Sequence, residues 1–208
     1  MSKLIDDLVR GHTTLERIPL EDAEVHYLRE LPLAQTAEAL MNQLISEVPW
    51  RAENIVVWGK TFPQPRLIAW YGDNGANYTY SGIPHDPLPW IEFLIDIKNR
   101  VEQIAVTGFN SVLLNYYRNH RDSMGLHSDD EPELGRRPII ASLSLGEERT
   151  FILKHKTRRD LRSVHIKLAS SSLLLMKGDT QRHWKHGIEK ENRPCGPRVN
   201  LTFRRICP

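Results

Sequence analysis

Residues 198–206 read RVNLTFRRI, and this run gives the clearest indication of the fold. In a β-strand, successive side chains point to opposite faces of the sheet. A strand here has an apolar face that carries Val199, Leu201 and Phe203. Its polar face carries Arg198, Asn200, Thr202 and Arg204. The pattern predicts a strand with one face in a hydrophobic core and two arginines on the other face.

The two arginines allow two interpretations. They stand six residues apart, which is about 20 Å along a strand, and inward-leaning side chains shorten that gap to the length of a small dicarboxylate. Arginine binds a carboxylate through two parallel hydrogen bonds, which lysine cannot do. The alternative is a strand whose two arginines face solvent, the usual location of arginine.

Other short apolar or alternating runs predict further strands. They are IVVW (55–58), LIAWY (67–71), SVLLNYY (111–117), PIIASLSL (138–145), TFIL (150–153), SVHIKL (163–168) and SLLLM (172–176). No helical pattern interrupts them after residue 110, which favours an antiparallel sandwich or barrel. Two amphipathic helices, predicted over 32–48 and 89–105, would cover one outer face. Residues 1–30 read as an acidic, poorly patterned extension.

The charge is unevenly distributed along the chain. Nine acids and four bases give residues 1–50 a charge of −5. Because the net charge of the whole chain is +2, the remaining residues carry a charge of +7. The densest basic segment is FILKHKTRRDLRSVHIKL (151–168), whose only acid is Asp160. Such a cluster suits a polyphosphate backbone. The alternative is a solvated hairpin with a lysine-rich edge.

The sequence offers little that points to a membrane or to secretion. It has no stretch of about 18 apolar residues, and MSKLIDDLVRG (1–11) lacks an apolar signal core. Cys195 and Cys207 match no zinc spacing. We therefore expect a cytosolic protein with free thiols.

The tripeptide His127-Ser128-Asp129 carries two potential metal ligands. In an extended segment its imidazole and carboxylate point the same way and can take two adjacent positions on one metal. A second histidine from a distant strand would complete a two-histidine, one-carboxylate triad, which leaves open positions on iron(II). His183 and His186 are both candidates for that third ligand. The alternative is a surface histidine beside an acid.

Several motifs taken in order resemble the AlkB family of nucleic-acid dealkylases, in the branch with the two human DNA-repair homologues. They are NYY (115–117), LHSDDE (126–131), IASLSLG (140–146), HWKH (183–186) and PRVNLTFR (197–204). Weaker similarity covers VVWGK (56–60) and WYGDNGANYTYSG (70–82). The resemblance spans about residues 50–206. It implies a mainly β double-stranded β-helix, or jelly roll, with flanking helices.

The resemblance implies a division of the chain and a set of roles. Residues 51–208 would form a dioxygenase domain with nucleotide-recognition hairpins at about 51–88. Residues 1–50 match the family less well, and their charge and pattern alone predict an N-terminal acidic extension with one helix. The iron(II) ligands would be His127, Asp129 and His186. The 1-carboxylate of 2-oxoglutarate would lie at Arg204 and Asn115, and its 5-carboxylate at Arg198 and Tyr117, with Asn200 bracing the pocket. With O2, these cofactors would serve oxidative demethylation of bases.

The substrate residues implied by the resemblance lie mostly before the jelly roll. Tyr80 would stack on a flipped base, with Tyr78 on the same side of its strand. Trp58 would fill the gap that the base leaves in a duplex, and Arg66 would touch the opposite strand. Asp130 and Glu131 would favour the cationic lesions 1-methyladenine and 3-methylcytosine. Alternatively, Trp58, Tyr78 and Tyr80 simply pack on the sheet, and the acid pair is a solvated turn.

The expected partner is DNA with alkylated bases, single- or double-stranded, bound by a monomer in the cytoplasm, or in the nucleus of a eukaryote. Three alternatives remain open at this point. One is an RNA demethylase with the same chemistry. Another is a protein or small-molecule hydroxylase of the same superfamily, and the third is a nucleic-acid-binding module without catalytic activity.

Overall fold

The computed structural model describes residues 14–57, 60–76, 78–80 and 83–207. Within these ranges the strands are Leu15–Ile18 (β1), Glu24–Leu28 (β2), Arg51–Val57 (β3), Lys60–Gly72 (β4), Tyr78–Tyr80 (β5), Ile83–His85 (β6), Ser111–Tyr117 (β7), Met124–His127 (β8), Ile140–Gly146 (β9), Arg149–His155 (β10), Val164–Leu168 (β11), Leu173–Lys177 (β12), Trp184–Ile188 (β13) and Arg198–Arg204 (β14). The helices are Ala37–Glu47 (α1), Glu92–Ala105 (α2) and the single turn Thr180–His183 (α3), with a 3-10 turn at Pro132–Leu134.

Two antiparallel sheets form the body of the molecule. The large sheet has the order β1-β2-β12-β9-β14-β7-β4-β3, and the small sheet has the order β11-β10-β13-β8. A separate hairpin joins β5 to β6. Strand β14 lies in the interior of the large sheet, between β7 and β9. Long connections between paired strands, such as β2 with β12, give the sheets the jelly-roll arrangement that the sequence predicted.

The large sheet buries both of its faces, in two separate cores. One face packs against α1 and α2 through side chains such as Leu44, Val101 and Leu201. The other face packs against the small sheet through side chains such as Leu113 and Leu153. Every residue of β14 is consequently buried, including both arginines. The prediction that two helices cover one outer face of the β-structure is confirmed.

The N-terminal part of the large sheet was not predicted from the sequence. Strand β1 pairs with β2, and β2 pairs with β12, so this segment forms one edge of the sheet. Val25 and Leu28 are buried, although charged and polar neighbours obscure the pattern in so short a strand. The predicted domain boundary at residue 50 stays a prediction.

Helix α1 begins with a capped turn, because the Thr36 side chain accepts a hydrogen bond from the backbone N–H of Ala39 at 3.2 Å. Helix α2 is followed by Val106, which has left-handed backbone angles of φ 56° and ψ 43° and is 86% exposed. That conformation disfavours a β-branched residue. No helix in the described part of the chain is long and apolar enough to cross a membrane.

Candidate active site

Three potential metal ligands meet between the two sheets. His127 ends β8, Asp129 follows two residues later, and His186 lies on β13, directly opposite His127 in the pairing of β13 with β8. One donor atom from each residue lies within 4.8 Å of the other two. Asp129 Oδ1 is 3.7 Å from His127 Nε2, and Asp129 Oδ2 is 3.9 Å from His186 Nε2. The structure therefore brings together the three predicted ligands.

Hydrogen bonding sets the tautomer of His127. Its Nδ1 lies 3.0 Å from the carbonyl oxygen of Gly125, which can only accept a hydrogen bond. The proton of a neutral ring therefore resides on Nδ1, and Nε2 keeps its lone pair toward Asp129. This is the usual arrangement of a metal-binding histidine.

The protonation states suit a divalent metal. Burial has the largest effect on the pKa of Asp129 and raises it, but the charges of Arg204, His186 and His127 outweigh burial and lower the pKa to about 2. Burial, aided by the charge of His127, lowers the pKa of His186 to about 3. At neutral pH the carboxylate is charged and the His186 ring is neutral, as metal binding requires.

The two arginines of β14 share one cavity with these three residues. Arg204 donates from Nη2 to Asp129 Oδ1 at 2.9 Å, so it lies beside the metal-ligand cluster. Arg198 is 1% exposed and donates from Nη2 to Ser144 Oγ at 2.9 Å. Its Nε and Nη1 find no hydrogen-bond partner among the described residues. The interpretation of solvent-facing arginines is wrong, because both side chains are buried.

Further predicted 2-oxoglutarate residues line the same cavity. The ring centroid of Tyr117 is 5.1 Å from the Arg198 guanidinium. The amide of Asn200 donates to Ser142 Oγ at 2.8 Å and to the Leu143 carbonyl at 2.9 Å, while its oxygen accepts from Thr202 Oγ1 at 2.9 Å. These bonds hold Asn200 in one orientation, as a bracing residue needs.

Arg66 is buried beside the cavity. It is 4% exposed, and its Nε donates to Asn115 Oδ1 at 2.7 Å. This bond orients Asn115 in the cavity wall. The expected contact of Arg66 with the opposite strand of a duplex stays a prediction.

The residues present fit an iron(II) ion and 2-oxoglutarate. Two imidazoles and a carboxylate are a donor set suited to iron(II). Asp129 Oδ2 finds no hydrogen-bond partner in the described part of the protein, and Arg198 has unpartnered nitrogens that can donate to a carboxylate. The cavity thus offers a metal site near one arginine and a carboxylate site at the other.

His183 belongs to a different cluster, with Asp22 and His155. His155 Nδ1 accepts hydrogen bonds from the backbone N–H groups of Thr157 and Arg158, at 3.3 and 2.9 Å. The proton of a neutral ring therefore sits on Nε2, which faces Asp22 Oδ2 at 3.5 Å. With that tautomer His155 has no lone pair for a metal, so this cluster is a poor metal site.

The structure describes only some of the predicted base-recognition residues. Asp130 and Glu131 follow Asp129 at the rim, and Lys156 Nζ donates to Asp130 Oδ2 at 2.8 Å. Glu131 Oε2 is buried without a hydrogen-bond partner among the described residues. Tyr78 and Tyr80 both lie on β5. Trp58 lies outside the described residues, and its role stays a prediction.

The basic segment 151–168 is partly neutralised within the protein. Arg158 donates to Asp160 and to Glu21, and both contacts raise its pKa. Beside Asp130 and Glu131 lies a groove of about 820 Å³, lined among others by Arg136, Lys156 and Arg182. The guanidiniums of Arg136 and Arg182 form no ion pair with the residues that the structure describes. The groove begins at Asp130, the residue that follows Asp129 in the chain.

Sequence reasoning missed Arg149, which is fully buried. It donates to the carbonyl oxygens of Asp122 and Glu189, at 2.9 and 2.6 Å, and lies 5.8 Å from the Tyr117 ring centroid. These bonds tie together the loops that precede β8 and β14. The alternation in β10 could have indicated its burial, because Arg149 falls on the same face of the strand as Phe151 and Leu153.

Comparisons with known proteins agree with this geometry. The model of the 2OG-Fe(II) oxygenase superfamily matches residues 24–204. The chain is 45% identical over 180 residues to alpha-ketoglutarate-dependent dioxygenase alkB homolog 3 of Homo sapiens, covering 83% of this chain and 62% of that protein. It is 40% identical over 181 residues to DNA oxidative demethylase ALKBH2 of Mus musculus, covering 83% of this chain and 76% of that protein.

A solved structure of OsALKBH1 superposes with a TM-score of 0.62 at 16% identity, over 91% of this chain and all of that one. At that identity the likeness shows the fold alone. The chain spans about 62% of the length of the human and mouse alkB homolog 3 proteins.

Proposed function

The chain belongs to the 2OG-Fe(II) oxygenase superfamily and, within it, to the AlkB family, and on that premise we propose that it oxidatively demethylates alkylated DNA bases. The proposed substrates are 1-methyladenine and 3-methylcytosine. The proposed cofactors are iron(II), 2-oxoglutarate and O2. We place this activity in a monomer that acts on DNA in the cytoplasm, or in the nucleus of a eukaryote.

One observation carries the proposal. A single buried cavity holds two imidazoles and a carboxylate within 4.8 Å of one another and, on the same face of β14, two buried arginines. A site that binds only a metal ion does not need two buried guanidiniums, because moving a guanidinium out of water costs free energy. A pocket for a dicarboxylate that also binds a metal needs both features.

The residues have separate tasks in this scheme. With 2-oxoglutarate and O2, the bound metal supplies the oxidation of a carbon attached to a base nitrogen. His127, Asp129 and His186 would hold the metal, and Arg198 would fix the far carboxylate of 2-oxoglutarate. Apolar side chains such as Phe151 and Ile188 line the same cavity and limit the access of water.

The acids at the rim favour a cationic base. 1-Methyladenine and 3-methylcytosine are positively charged at neutral pH, so a nearby carboxylate binds them better than it binds normal bases. Lys156 Nζ already forms an ion pair with Asp130. Glu131, whose Oε2 lacks a hydrogen-bond partner among the described residues, is therefore the better placed of the two.

We infer that the DNA strand beside the target base runs along the groove that contains Arg136 and Arg182. This groove begins at Asp130 and Glu131, next to the metal-ligand cluster. Phosphates bind well to arginines that are not already paired with acids. In this proposal the groove supplies phosphate contacts that the sequence analysis had expected from the basic segment 151–168.

The function is tested with the purified chain, iron(II), 2-oxoglutarate and a DNA oligonucleotide that carries one 3-methylcytosine. We expect loss of the methyl group, seen by mass spectrometry, together with formaldehyde and succinate. The Asp129→Ala variant and an unmethylated oligonucleotide serve as controls. Turnover of 2-oxoglutarate without demethylation of DNA or RNA would point to another hydroxylase of the superfamily, and faster repair of the same lesion in RNA would make RNA the substrate.

The groove is tested by the salt dependence of binding to methylated single-stranded DNA. Removing Arg136 and Arg182 together should reduce the slope of log K against log salt by about 1.4, since each phosphate contact to a single strand contributes about 0.7. Arg29 and Arg193, which are exposed outside the groove and outside the segment 151–168, give a matched double variant. Equal losses in the two double variants would remove the groove from the proposal.

A further inference from the structure

Two side chains outside the metal-ligand cluster connect the segment 127–129 to the chain that leads into β13. Ser128, the middle residue of the tripeptide, donates from Oγ to the carbonyl oxygen of Trp184 at 2.9 Å. Gln181 accepts on Oε1 the backbone N–H of Asp129 at 3.0 Å. Both bonds cross more than fifty residues of sequence to reach the same short stretch, 181–184.

Gln181 is itself held in one orientation. It is 2% exposed, and its Nε2 lies 3.5 Å from the thioether sulfur of Met176, which lines the cavity. Its backbone carbonyl accepts a hydrogen bond from Lys156 Nζ at 2.8 Å. The side-chain amide is therefore held at both ends, with Oε1 bonded to Asp129 and Nε2 to Met176, and the backbone is held by Lys156.

The stretch 181–184 continues directly into the residue that completes the cluster, since His186 follows Trp184 by two positions. The position of Asp129 relative to His186 thus depends on contacts between two distant parts of the chain. In the described residues, the regular pairing of β13 with β8 is interrupted between His186 and Ile188. No pairing of these two strands extends past His127 and His186 on the side of Asp129 in the described residues, and there the bonds of Ser128 and Gln181 join the two segments.

We propose that Gln181 and Ser128 are positioning residues that set the distance between Asp129 and His186 and thereby the affinity of the site for its metal. The inference rests on the proposed metal site. Ser128 is then more than a spacer in the tripeptide, because its hydroxyl joins the first two ligands to the third. Partners that orient metal ligands change metal affinity by about 10- to 100-fold when they are removed.

The test is the titration of metal-free protein with Mn(II), a redox-stable substitute for iron(II), with unbound Mn(II) followed by electron paramagnetic resonance. Gln181→Met keeps the side-chain volume but removes the acceptor, and Ser128→Ala removes the donor. We expect each variant to bind Mn(II) about 10- to 100-fold more weakly. Ser128→Thr keeps a hydroxyl and should restore most of the affinity.

Ser172→Ala is the matched control. Ser172 is fully buried and donates to the carbonyl oxygen of Ala169 at 2.7 Å, so this variant also loses a serine-to-carbonyl bond, but away from the cavity. Its thermal midpoint should fall without any change in Mn(II) affinity. If Gln181→Met fails to fold, the pair Ser128→Ala and Ser128→Thr decides alone.

Mn(II) affinities of Ser128→Ala and Gln181→Met within twofold of the unmodified protein would overturn the proposal and leave the two bonds with a purely structural role. The same holds if Ser128→Thr binds Mn(II) as weakly as Ser128→Ala. The proposed demethylation can fail independently, because Mn(II) binding is measured without any nucleic acid.

Discussion

Replacing Arg198 by lysine should specifically weaken recognition of the far carboxylate of 2-oxoglutarate. Burial lowers the pKa of Arg198 to about 10, so the side chain remains charged at neutral pH. One of its nitrogens is bonded to Ser144, and its Nε and Nη1 have no partner among the described residues. A bound carboxylate would accept a hydrogen bond from at least one of these two nitrogens.

The expected loss follows from the number of donors. Lysine keeps the charge but cannot make the paired hydrogen bonds of a guanidinium. A hydrogen bond to a charged group contributes about 1.5–3 kcal/mol. Loss of one such bond weakens binding by about 10- to 150-fold.

The assay is isothermal titration of the Mn(II)-loaded Arg198→Lys variant and the unmodified protein with two ligands. 2-Oxoglutarate has both carboxylates, and 2-oxobutyrate lacks the far one. We expect Arg198→Lys to lose affinity for 2-oxoglutarate while its affinity for 2-oxobutyrate changes little, so the ratio of the two affinities falls about 10-fold or more. An equal loss for both ligands would mean that Arg198 only supports the cavity, and unchanged affinity for 2-oxoglutarate would refute the assignment. Binding of DNA should be unaffected.

Three further predictions concern the metal cluster and the backbone. His186→Ala should abolish Mn(II) binding while His183→Ala retains it, as measured by the same titration, and the reverse result would exchange the two assignments. Gly187→Ala should lower the free energy of unfolding, measured with denaturant, by about 1–3 kcal/mol. The reason is that the added Cβ would lie 2.7 Å from the carbonyl oxygen of Met124. Gly125→Ala is the control, because a Cβ there meets no atom within 4 Å. Val106→Gly should raise the free energy of unfolding by about 1 kcal/mol and the thermal midpoint by about 2–4 °C, because glycine adopts the left-handed conformation without strain; a lower midpoint would contradict this reasoning.

Much of the fold could be predicted because its strands have regular patterns. The alternation in 198–204 identified β14 and separated its apolar face from its arginine face. The helical patterns located α1 and α2, although α1 begins at Ala37 and α2 at Glu92, inside the predicted ranges. Strands β1 and β2 escaped prediction because they are short and their stability comes from pairing with β12, which is distant in sequence.

The sequence by itself determined the chemistry that the cavity can hold. Alternation along a strand places His127 and Asp129 on one side, and it does the same for the two arginines of 198–204. Both inferences use only neighbouring residues and no information about the rest of the chain. Local patterns left both His183 and His186 as candidates for the third ligand, and the resemblance to the AlkB family implied His186. None of these inferences required a contact between distant segments.

Only the tertiary structure decided between residues whose local patterns are equivalent. His183 and His186 lie three residues apart, yet the turn at α3 and the pairing of β13 with β8 send one toward Asp22 and the other toward Asp129. Arg66 and Arg158 look like surface arginines in the sequence, but the fold buries the first against Asn115 and pairs the second with Glu21. Such outcomes depend on which distant strands become neighbours, and that is set by the cooperative packing of two cores rather than by any local run of residues.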